Sequence, residues 1–312
     1  MNSIWHGLNF CLKAMNQTNN EIDPSGDALA FENNWQKRPE TEYLHWTRGD
    51  PANQIQLAFR RHWITFQKLI GKRSGQRRCL EVGCGRGSLS AYFADDGWDC
   101  TLLDLSHTVI NQAQKAFKKN GLQADFDVGD CLELPYSEAS FDVVFSIGLL
   151  EHFRDVKKVI KEQQRVLVPG GLFIGYVVPH IPDNVQTEYE WVNDLLRNLL
   201  PEETLEAKQG KAEVYRSDSL SPLYLRAMEE IGFLEIWNRG AYPLPMISHS
   251  PDFPFSLLPP AAEASLVLNF QAFLDRREKE MEDDPWLCEE AHGQAFIVCG
   301  RKSDSRNDSR KY

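Results

Sequence analysis

Apolar positions along the chain change period several times, and each change marks an element. Short, nearly continuous apolar runs at 79–83, 99–104, 124–128, 141–146 and 172–178 predict strands buried on both faces. Between them, apolar residues recur at helical spacing over about 87–96, 107–120 and 155–167. Ser106 suits the N-cap of the second of these helices and Gly121 its stop. A fourth helix over about 218–231 runs to Gly232, a strand follows at about 233–238, and a last strand occupies 295–300. Alternating strand and helix implies parallel strands joined by right-handed crossovers. Upstream, Leu57 to Ile70 has helical periodicity through Phe59, Trp63, Phe66, Leu69 and Ile70, and Gly71 to Gln76 ends it. Ile4, Trp5, Leu8 and Leu12 suit one face of a short helix, whereas Gln17 to Asp27 reads as loop.

Two segments, 180–217 and 240–293, exceed what such a sheet needs. The second carries Pro243, Pro245, Pro251, Pro254, Pro259 and Pro260, then a helical stretch from Ala261 to Lys279. Long connections are usually functional or disordered, and the Trp, Tyr, Phe and Leu here point to packed lids. The expected organisation is an N-terminal helical extension and lid over 1–76, an α/β domain over 77–302 with insertions at 180–217 and 240–293, and a polar disordered tail at 303–312.

Composition narrows the partners. The 312 residues are 42% hydrophobic and 25% charged, ordinary globular values that allow a sizeable core. A net charge of −11 argues against a phosphate-backbone partner, so no nucleic acid is expected. The short basic set Lys72, Arg73, Arg77 and Arg78 reads as a solvated turn. The seven cysteines show no C-x-x-C pair and no zinc spacing, so no metal is expected. Cys79, Cys84, Cys100 and Cys299 fall in or beside predicted strands, where a free thiol packs as a small hydrophobe. No apolar run approaches the roughly 18 residues that span a bilayer, and no signal peptide is read at the N-terminus. A soluble, cytoplasmic protein without a membrane partner is expected, with homo-oligomerisation open.

The chemistry concentrates in Leu80-Glu81-Val82-Gly83-Cys84-Gly85-Arg86-Gly87 and in Asp104, which closes the second strand. Strand, glycine-rich turn, helix start and strand-end carboxylate suit a cofactor with an adenosine end. Glycines let backbone approach the ligand, and the carboxylate accepts hydrogen bonds from ribose hydroxyls. A dinucleotide loop uses the same physics but needs glycine where Ser88 stands, which disfavours a nicotinamide-dependent reductase. Further along come Val128-Gly129-Asp130-Cys131-Leu132-Glu133-Leu134-Pro135, Ser140-Phe141-Asp142-Val143-Val144-Phe145-Ser146-Ile147-Gly148, Leu149-Leu150-Glu151-His152-Phe153, and Arg165-Val166-Leu167-Val168-Pro169-Gly170-Gly171-Leu172-Phe173-Ile174. In this order, from about Arg77 to Pro179, they resemble the class I S-adenosylmethionine-dependent methyltransferases, in particular the ubiquinone/menaquinone-biosynthesis-like small-molecule branch.

The resemblance implies a Rossmann-like, doubly wound, seven-stranded, mostly parallel sheet with an antiparallel last strand, and S-adenosylmethionine as cofactor. Ligands of such sheets bind outside the carboxyl ends of the strands. Gly83, Gly85 and Gly87, with Cys84 between them, would offer backbone amides and close approach to the amino-acid end. Glu81 would orient the loop or the methionyl ammonium. Asp104 would hold the ribose hydroxyls, with Leu105 against the adenine, Asp130 at its amino group, Cys131 beside the ring and Ile147 near the sulfonium. The Cys84 thiol reads as packing rather than as a nucleophile.

Methyl transfer is a displacement at an already activated carbon, so holding the acceptor close and desolvated supplies much of the acceleration. A hydroxyl or ammonium acceptor also needs its proton removed, whereas a thioether does not. His152 is the first candidate base, with Tyr176 and His180 behind it. Glu151 beside it belongs to the acceptor side. Glu151 and His152 can equally serve only to order the site. Trp35, Tyr43 and Trp46, with Trp63, could cage a cationic amine or sulfonium product, although core packing explains such residues as well. Glu278, Glu280, Glu282, Asp283, Asp284, Glu289 and Glu290 could add attraction for a cation, or form a solvated face. Arg48, Arg60 and Arg61 could instead hold an acceptor carboxylate. The leading expectation is methylation of a small molecule. N- or S-methylation of an amino-acid-like acceptor is the alternative, and a non-catalytic cofactor-binding subunit is the alternative from another class.

Overall fold

The structure is a computed structural model that describes residues 32, 33, 35, 36, 44–72, 77–199, 214–247, 258–281 and 283–303. Its sheet contains β1 (Arg78–Val82), β2 (Asp99–Asp104), β3 (Asp125–Val128), β4 (Phe141–Ile147), β5 (Leu167–Val177), β6 (Phe233–Ala241), β7 (Leu287–Cys288) and β8 (Ala295–Lys302). Their order across the sheet is β3-β2-β1-β4-β5-β8-β6-β7. Strands β1 to β5 pair in parallel, and β8 runs antiparallel to both β5 and β6. The sheet is therefore Rossmann-like and mostly parallel, as expected, but has eight strands rather than seven. The extra strand is β7, whose two residues pair with Gly240 and Ala241. Two residues carry no alternation, so no pattern announces such a strand.

The other surprise is the start of β5. Pro169-Gly170-Gly171 reads as a turn before a strand at 172, yet pairing already begins at Leu167 opposite Phe141. The register shifts between Phe141 and Val143, and the irregularity absorbs the proline and glycines inside the strand.

Helix α1 (Gln54–Ile70) is capped by Asn53, whose side chain accepts the Gln56 amide at 2.9 Å. Helices α2 (Ser88–Asp95), α3 (His107–Lys119) and α4 (Val156–Val166) follow the first strands. Ser106 caps α3 by accepting from the Val109 amide at 3.1 Å, as its position predicts. Two short helices, α5 (Val185–Glu188) and α6 (Glu190–Arg197), lie in the first insertion. Helix α7 (Ser221–Ile231) stops at Gly232, which is left-handed with φ 90°. Helix α8 (Pro260–Glu280) fills the second insertion.

The alternation of the strands sends side chains to two cores. On one face α1, α2 and α3 bury Phe66, Phe93, Ile110 and Phe117 against Phe145, Ile174 and Ile297. Phe93 stacks on Phe145 at 4.9 Å and Phe66 meets the same ring edge-on at 5.8 Å. On the other face α4 and α7 bury Ile160 and Met228 against Val144, Phe173 and Phe296. The predicted core cysteines, Cys79, Cys84, Cys100 and Cys299, are buried and free.

A third, smaller cluster joins the second insertion to α1 through Ala58, Tyr242, Leu244, Leu274 and Trp286. The wholly buried Trp286 stacks on Tyr242 at 4.7 Å, and its indole N–H donates to His62 Nδ1 at 3.0 Å. Thr65 Oγ1 donates to the buried Asp284, which also pairs with Lys68 at 3.3 Å. Packing of the insertions is nonetheless partial: Trp191 and Leu195 on α6 and Leu268 on α8 stay exposed. The expected helix at Ile4–Leu12, the loop at Gln17–Asp27 and the tail beyond Ser303 lie outside the described residues.

Trp286→Phe keeps the ring stacking but leaves His62 Nδ1 without its buried donor. Loss of about 1–3 kcal/mol is expected in denaturant unfolding, with an unchanged far-UV circular dichroism spectrum.

Candidate functional site

The glycine-rich loop leaves β1 at Gly83 and enters α2 at Ser88, at the carboxyl edge of the sheet. Its path is set by β2. The Gly83 and Cys84 amides both donate to the Leu103 carbonyl, at 2.8 and 3.0 Å. The Gly85 amide donates to Asp104 Oδ2 at 2.9 Å, and the Gly87 amide to the Cys84 carbonyl at 2.8 Å. This corrects one expectation: the loop amides are already committed within the protein, so the glycines offer bare backbone rather than spare donors. Gly87 is the position where no other residue fits. Its φ is +73°, and a Cβ there would sit 2.3 Å from Leu102 Cδ2.

Asp104 keeps acceptor capacity at this edge. Oδ2 takes the Gly85 amide and Oδ1 the Ser106 amide at 3.0 Å. Two carboxylate oxygens offer about four lone-pair sites, so two remain for ribose hydroxyls. Burial raises its pKa, and the two amides offset part of that cost. Beside it, Leu105 is 44% exposed and Val128 37% exposed. These two apolar side chains at the ends of β2 and β3 suit the flat face of an adenine. Asp130 is exposed, its Oδ1 accepting from the Leu132 amide at 2.8 Å. Cys131 is half-buried, burial lifting its thiol well above the ordinary range. Ile147 ends β4, paired with Tyr176. Glu81, 3% exposed, accepts hydrogen bonds from the Ser90 amide and hydroxyl. Burial lifts its carboxyl to about 8, with the Asp104 charge adding to the shift. A cation arriving beside a buried carboxyl so placed favours its ionised form. These residues fit S-adenosylmethionine: acceptors for a ribose, an apolar slot for a ring, and a buried carboxyl for an ammonium.

The short helical piece around Glu32–Gln36 lies across this edge. Glu32 accepts from Thr108 Oγ1 at 2.6 Å and from Gln36 at 2.8 Å. Trp35 covers Gly85, with ring carbons 3.6–3.9 Å from where a Cβ would stand, and the Arg86 guanidinium lies over its ring at 5.6 Å. Trp35 is thus placed at the cofactor loop rather than at an acceptor cage. Tyr43 lies outside the described residues. Trp46 and Arg48 are corrected more strongly. Trp46 is buried in the first core, and Arg48 stacks on it and bonds Asp95 at 2.9 Å, at the end of α2 remote from the glycine loop. Trp63 stacks on Tyr92 as core packing. Arg60 donates to the Thr47 and Gly49 carbonyls, and Arg61 pairs with Asp275 at 3.9 Å. None of these arginines is directed to the ligand edge.

Past β4 the chain makes a 3-10 turn, Leu150–His152. Residues 214–217 of the first insertion cross over it. The Ser217 amide donates to the Glu151 carbonyl at 2.8 Å, and His152 Nδ1 bonds the Tyr215 carbonyl at 2.6 Å. A carbonyl only accepts, so Nδ1 carries the proton and Nε2 of the neutral ring carries the lone pair. Nε2 lies 4.0 Å from Glu151 Oε1. Glu151 is 1% exposed, and among the described residues neither of its carboxylate oxygens accepts a hydrogen bond. Burial lifts its carboxyl to about 7, against the lowering influence of nearby amides and Arg216.

Tyr176, predicted as a candidate base, is buried in the first core, its hydroxyl without a hydrogen-bond partner among the described residues and its pKa pushed far up by burial. It meets the His62 ring at 4.4 Å. His180 is exposed and touches this region only through its amide, which bonds the Ser217 carbonyl at 2.9 Å. Sequence reasoning missed His62 and His45. Both are buried, and burial holds each near pKa 3. His62 lies on the buried stripe of α1, and its helical spacing was the one signal that pointed there. Four of the acidic residues expected to attract a cation are engaged elsewhere, and Glu278 and Glu280 are exposed on α8. Asp284 bonds Thr65, Asp283 faces Arg239 at 3.8 Å, Glu290 bonds Ser221 and Glu289 faces His292 at 3.4 Å. Glu282 lies outside the described residues. A cavity of about 460 Å³ between α1, α8, β6 and β7 has Asp283, Asp284 and Lys68 in its wall and lies away from the glycine loop.

Residues 80–175 match the family described as a methyltransferase domain. Norajmaline N-methyltransferase of Rauvolfia serpentina is 39% identical over 97 residues, 30% of this chain and 33% of that protein. The 24-methylenesterol C-methyltransferase 2 of Oryza sativa subsp. japonica is 31% identical over 191 residues, 60% of this chain and 47% of that protein. The chain thus spans between a third and a half of the length of these relatives. Among solved structures, phosphoethanolamine N-methyltransferase 2 of Haemonchus contortus, in complex with S-adenosyl-L-methionine, aligns with TM-score 0.47 at 19% identity, covering 78% of this chain and 52% of that chain. These matches do not single out the ubiquinone/menaquinone-type branch.

The buried groups predict a stability profile with two limbs. His45 and His62 stay neutral in the fold, while the unfolded chain takes up protons below about 6.5, so stability falls as pH drops from there toward 3. Glu81 and Glu151 keep their protons in the fold to about 8 and 7, while the unfolded chain releases them near 4.5, so stability falls as pH rises through that window. Between about 4.5 and 6.5 the two opposing slopes cancel. Melting temperatures of the ligand-free protein should therefore plateau there and fall on both sides, and Glu81→Gln should soften the alkaline fall and tilt the plateau upward with rising pH.

Proposed function

We propose that this chain, whose residues 80–175 match a methyltransferase domain, is a class I S-adenosylmethionine-dependent methyltransferase that transfers a methyl group to a small-molecule acceptor, leaving S-adenosylhomocysteine. The observation that carries this reading is the Asp104 carboxylate at the open sheet edge, bonded to Gly85 and flanked by exposed Leu105 and Val128. That combination of acceptor and apolar slot is what an adenosine requires.

When bound, S-adenosylmethionine supplies a methyl carbon activated by its sulfonium. The rest falls to side chains of this chain. Asp104 would hold the ribose and Glu81 the ammonium, while Trp35 covers the loop and keeps water from it. His152 Nε2, with Nδ1 tied to the Tyr215 carbonyl, would take the proton of a hydroxyl acceptor. The relatives named above act at nitrogen and at carbon, which favours no single acceptor atom for this chain. An amino-acid-like acceptor loses its proposed anchor, since Arg48, Arg60 and Arg61 are engaged elsewhere.

Isothermal titration with S-adenosylmethionine and S-adenosylhomocysteine, followed by a methyl-transfer screen over phenols, carboxylates, amines and thioethers, tests the reading. Binding and turnover support it; absent binding overturns it, and binding without any turnover favours a non-catalytic subunit. Asp104→Ala should weaken cofactor binding by roughly tenfold or more through loss of charge-assisted hydrogen bonds. His152→Ala should lower kcat by about 100-fold or more while cofactor affinity stays within about twofold.

A further inference from the structure

Glu151 is the acidic side chain of the ligand edge whose two carboxylate oxygens accept no hydrogen bond among the described residues, its charge being offset only in part by nearby amides and by Arg216. Asp104 has two amides and Glu81 has Ser90. Glu151 is as deeply buried as either, and among the described residues both its oxygens go without a hydrogen bond. A buried, unpaired carboxylate costs several kcal/mol unless a cation or hydrogen-bond donors meet it.

Its surroundings show where such a partner would come from. The turn that carries it follows β4, immediately past Ile147. Gly148 lies alongside, its missing Cβ 3.5 Å from Oε1. The charged and titratable groups around the carboxylate come from four parts of the chain. His152 lies beside it on the same turn, Arg216 on the crossing segment 214–217, and Tyr176 on β5 and Tyr224 on α7 interact with its charge. Only Arg216 is a standing cation, and its side chain belongs to an exposed residue that makes no ion pair with Glu151 among the described contacts.

We infer that Glu151 is an anionic acceptor subsite, and that the molecule methylated is an amine bound there as its ammonium. This deepens the methyltransferase reading and rests on it. The ammonium N–H groups answer the orphaned oxygens and the charge together, which a phenol or alcohol, with one weakly acidic donor, does not do. The ammonium passes one proton to the Glu151 carboxylate, giving a neutral amine and a carboxylic acid. The amine lone pair then forms the new N–C bond as the C–S bond breaks, its electron pair going to sulfur. The product amine carries the positive charge that the sulfonium gave up, and Glu151, on releasing its proton, again faces a cation. A carboxyl that titrates near 7 is suited to that exchange at neutral pH.

The test uses the full chain saturated with S-adenosylhomocysteine, titrated with benzylamine, tryptamine and their alcohol counterparts, and the same pairs offered with S-adenosylmethionine for turnover. Amines should bind and be methylated in preference to the alcohols. Glu151→Gln should lower amine affinity and kcat/KM by roughly 30-fold or more, as expected for truncating one partner of a buried charge pair, and S-adenosylhomocysteine affinity should stay within about twofold. Glu151→Asp, which keeps the charge, should recover part of the amine binding and guards against a variant that fails to fold. The alkaline rise of the wild-type pH–rate profile should be lost in Glu151→Gln. Equal binding of amines and alcohols, no amine binding by the wild type, or an unaltered amine kcat/KM in Glu151→Gln overturns the inference. Loss of S-adenosylhomocysteine binding by the wild type would instead overturn the methyltransferase reading beneath it.

Discussion

The end of β2 governs the ligand edge. One carbonyl, Leu103, takes the amides of both Gly83 and Cys84, and the next residue, Asp104, takes the amide of Gly85. Three consecutive loop donors are thus satisfied by two residues of a neighbouring strand. The loop has no freedom left to drift, and it can lie this close to β2 only because Gly87 has no side chain to strike Leu102 and Phe117. The same bonds fix the carboxylate in place, so the surface that faces a ligand and the bonds that shape it are one construction.

A second constraint is electrostatic. The fold buries Glu81, Glu151, His45 and His62 in a region that a fully apolar core would fill more stably. The histidines escape the cost by staying neutral, and one of them accepts an indole N–H. The glutamates escape it by holding their protons toward neutral pH. Groups so poised change charge for little free energy when a ligand arrives, and concentrations of such groups mark functional edges more often than structural interiors.

Much of this was legible in the chain. The buried runs located β1 and β4 to within a residue or so because both faces of each are largely covered, leaving mainly apolar sequence. Ser106 and Gly232 marked helix ends through local backbone chemistry, which needs no tertiary knowledge. The cofactor residues were legible because glycines and a strand-end carboxylate sit at fixed offsets from one turn. The acceptor side was not. Arg48 and Trp46 look like recognition residues in sequence, yet a salt bridge to Asp95 and burial in a core depend on which part of α2 the incoming chain happens to follow. The pairing of His152 with Tyr215, 63 residues away, has no local signature at all. Nor does β7, which exists only because the returning chain meets the end of β6.

The two insertions are fastened very differently. The second is pinned by a wholly buried tryptophan, stacked on Tyr242 and edge-on to His62, and by a buried aspartate, so it shares the cooperative stability of the sheet. Over Glu151 and His152 the first is held by main-chain bonds of the half-buried Tyr215 and the buried Ser217. Breaking those few bonds is a local event that leaves both cores intact. Substitutions within residues 214–217 would therefore alter the cover over Glu151 and His152 while leaving the pairing of the sheet untouched.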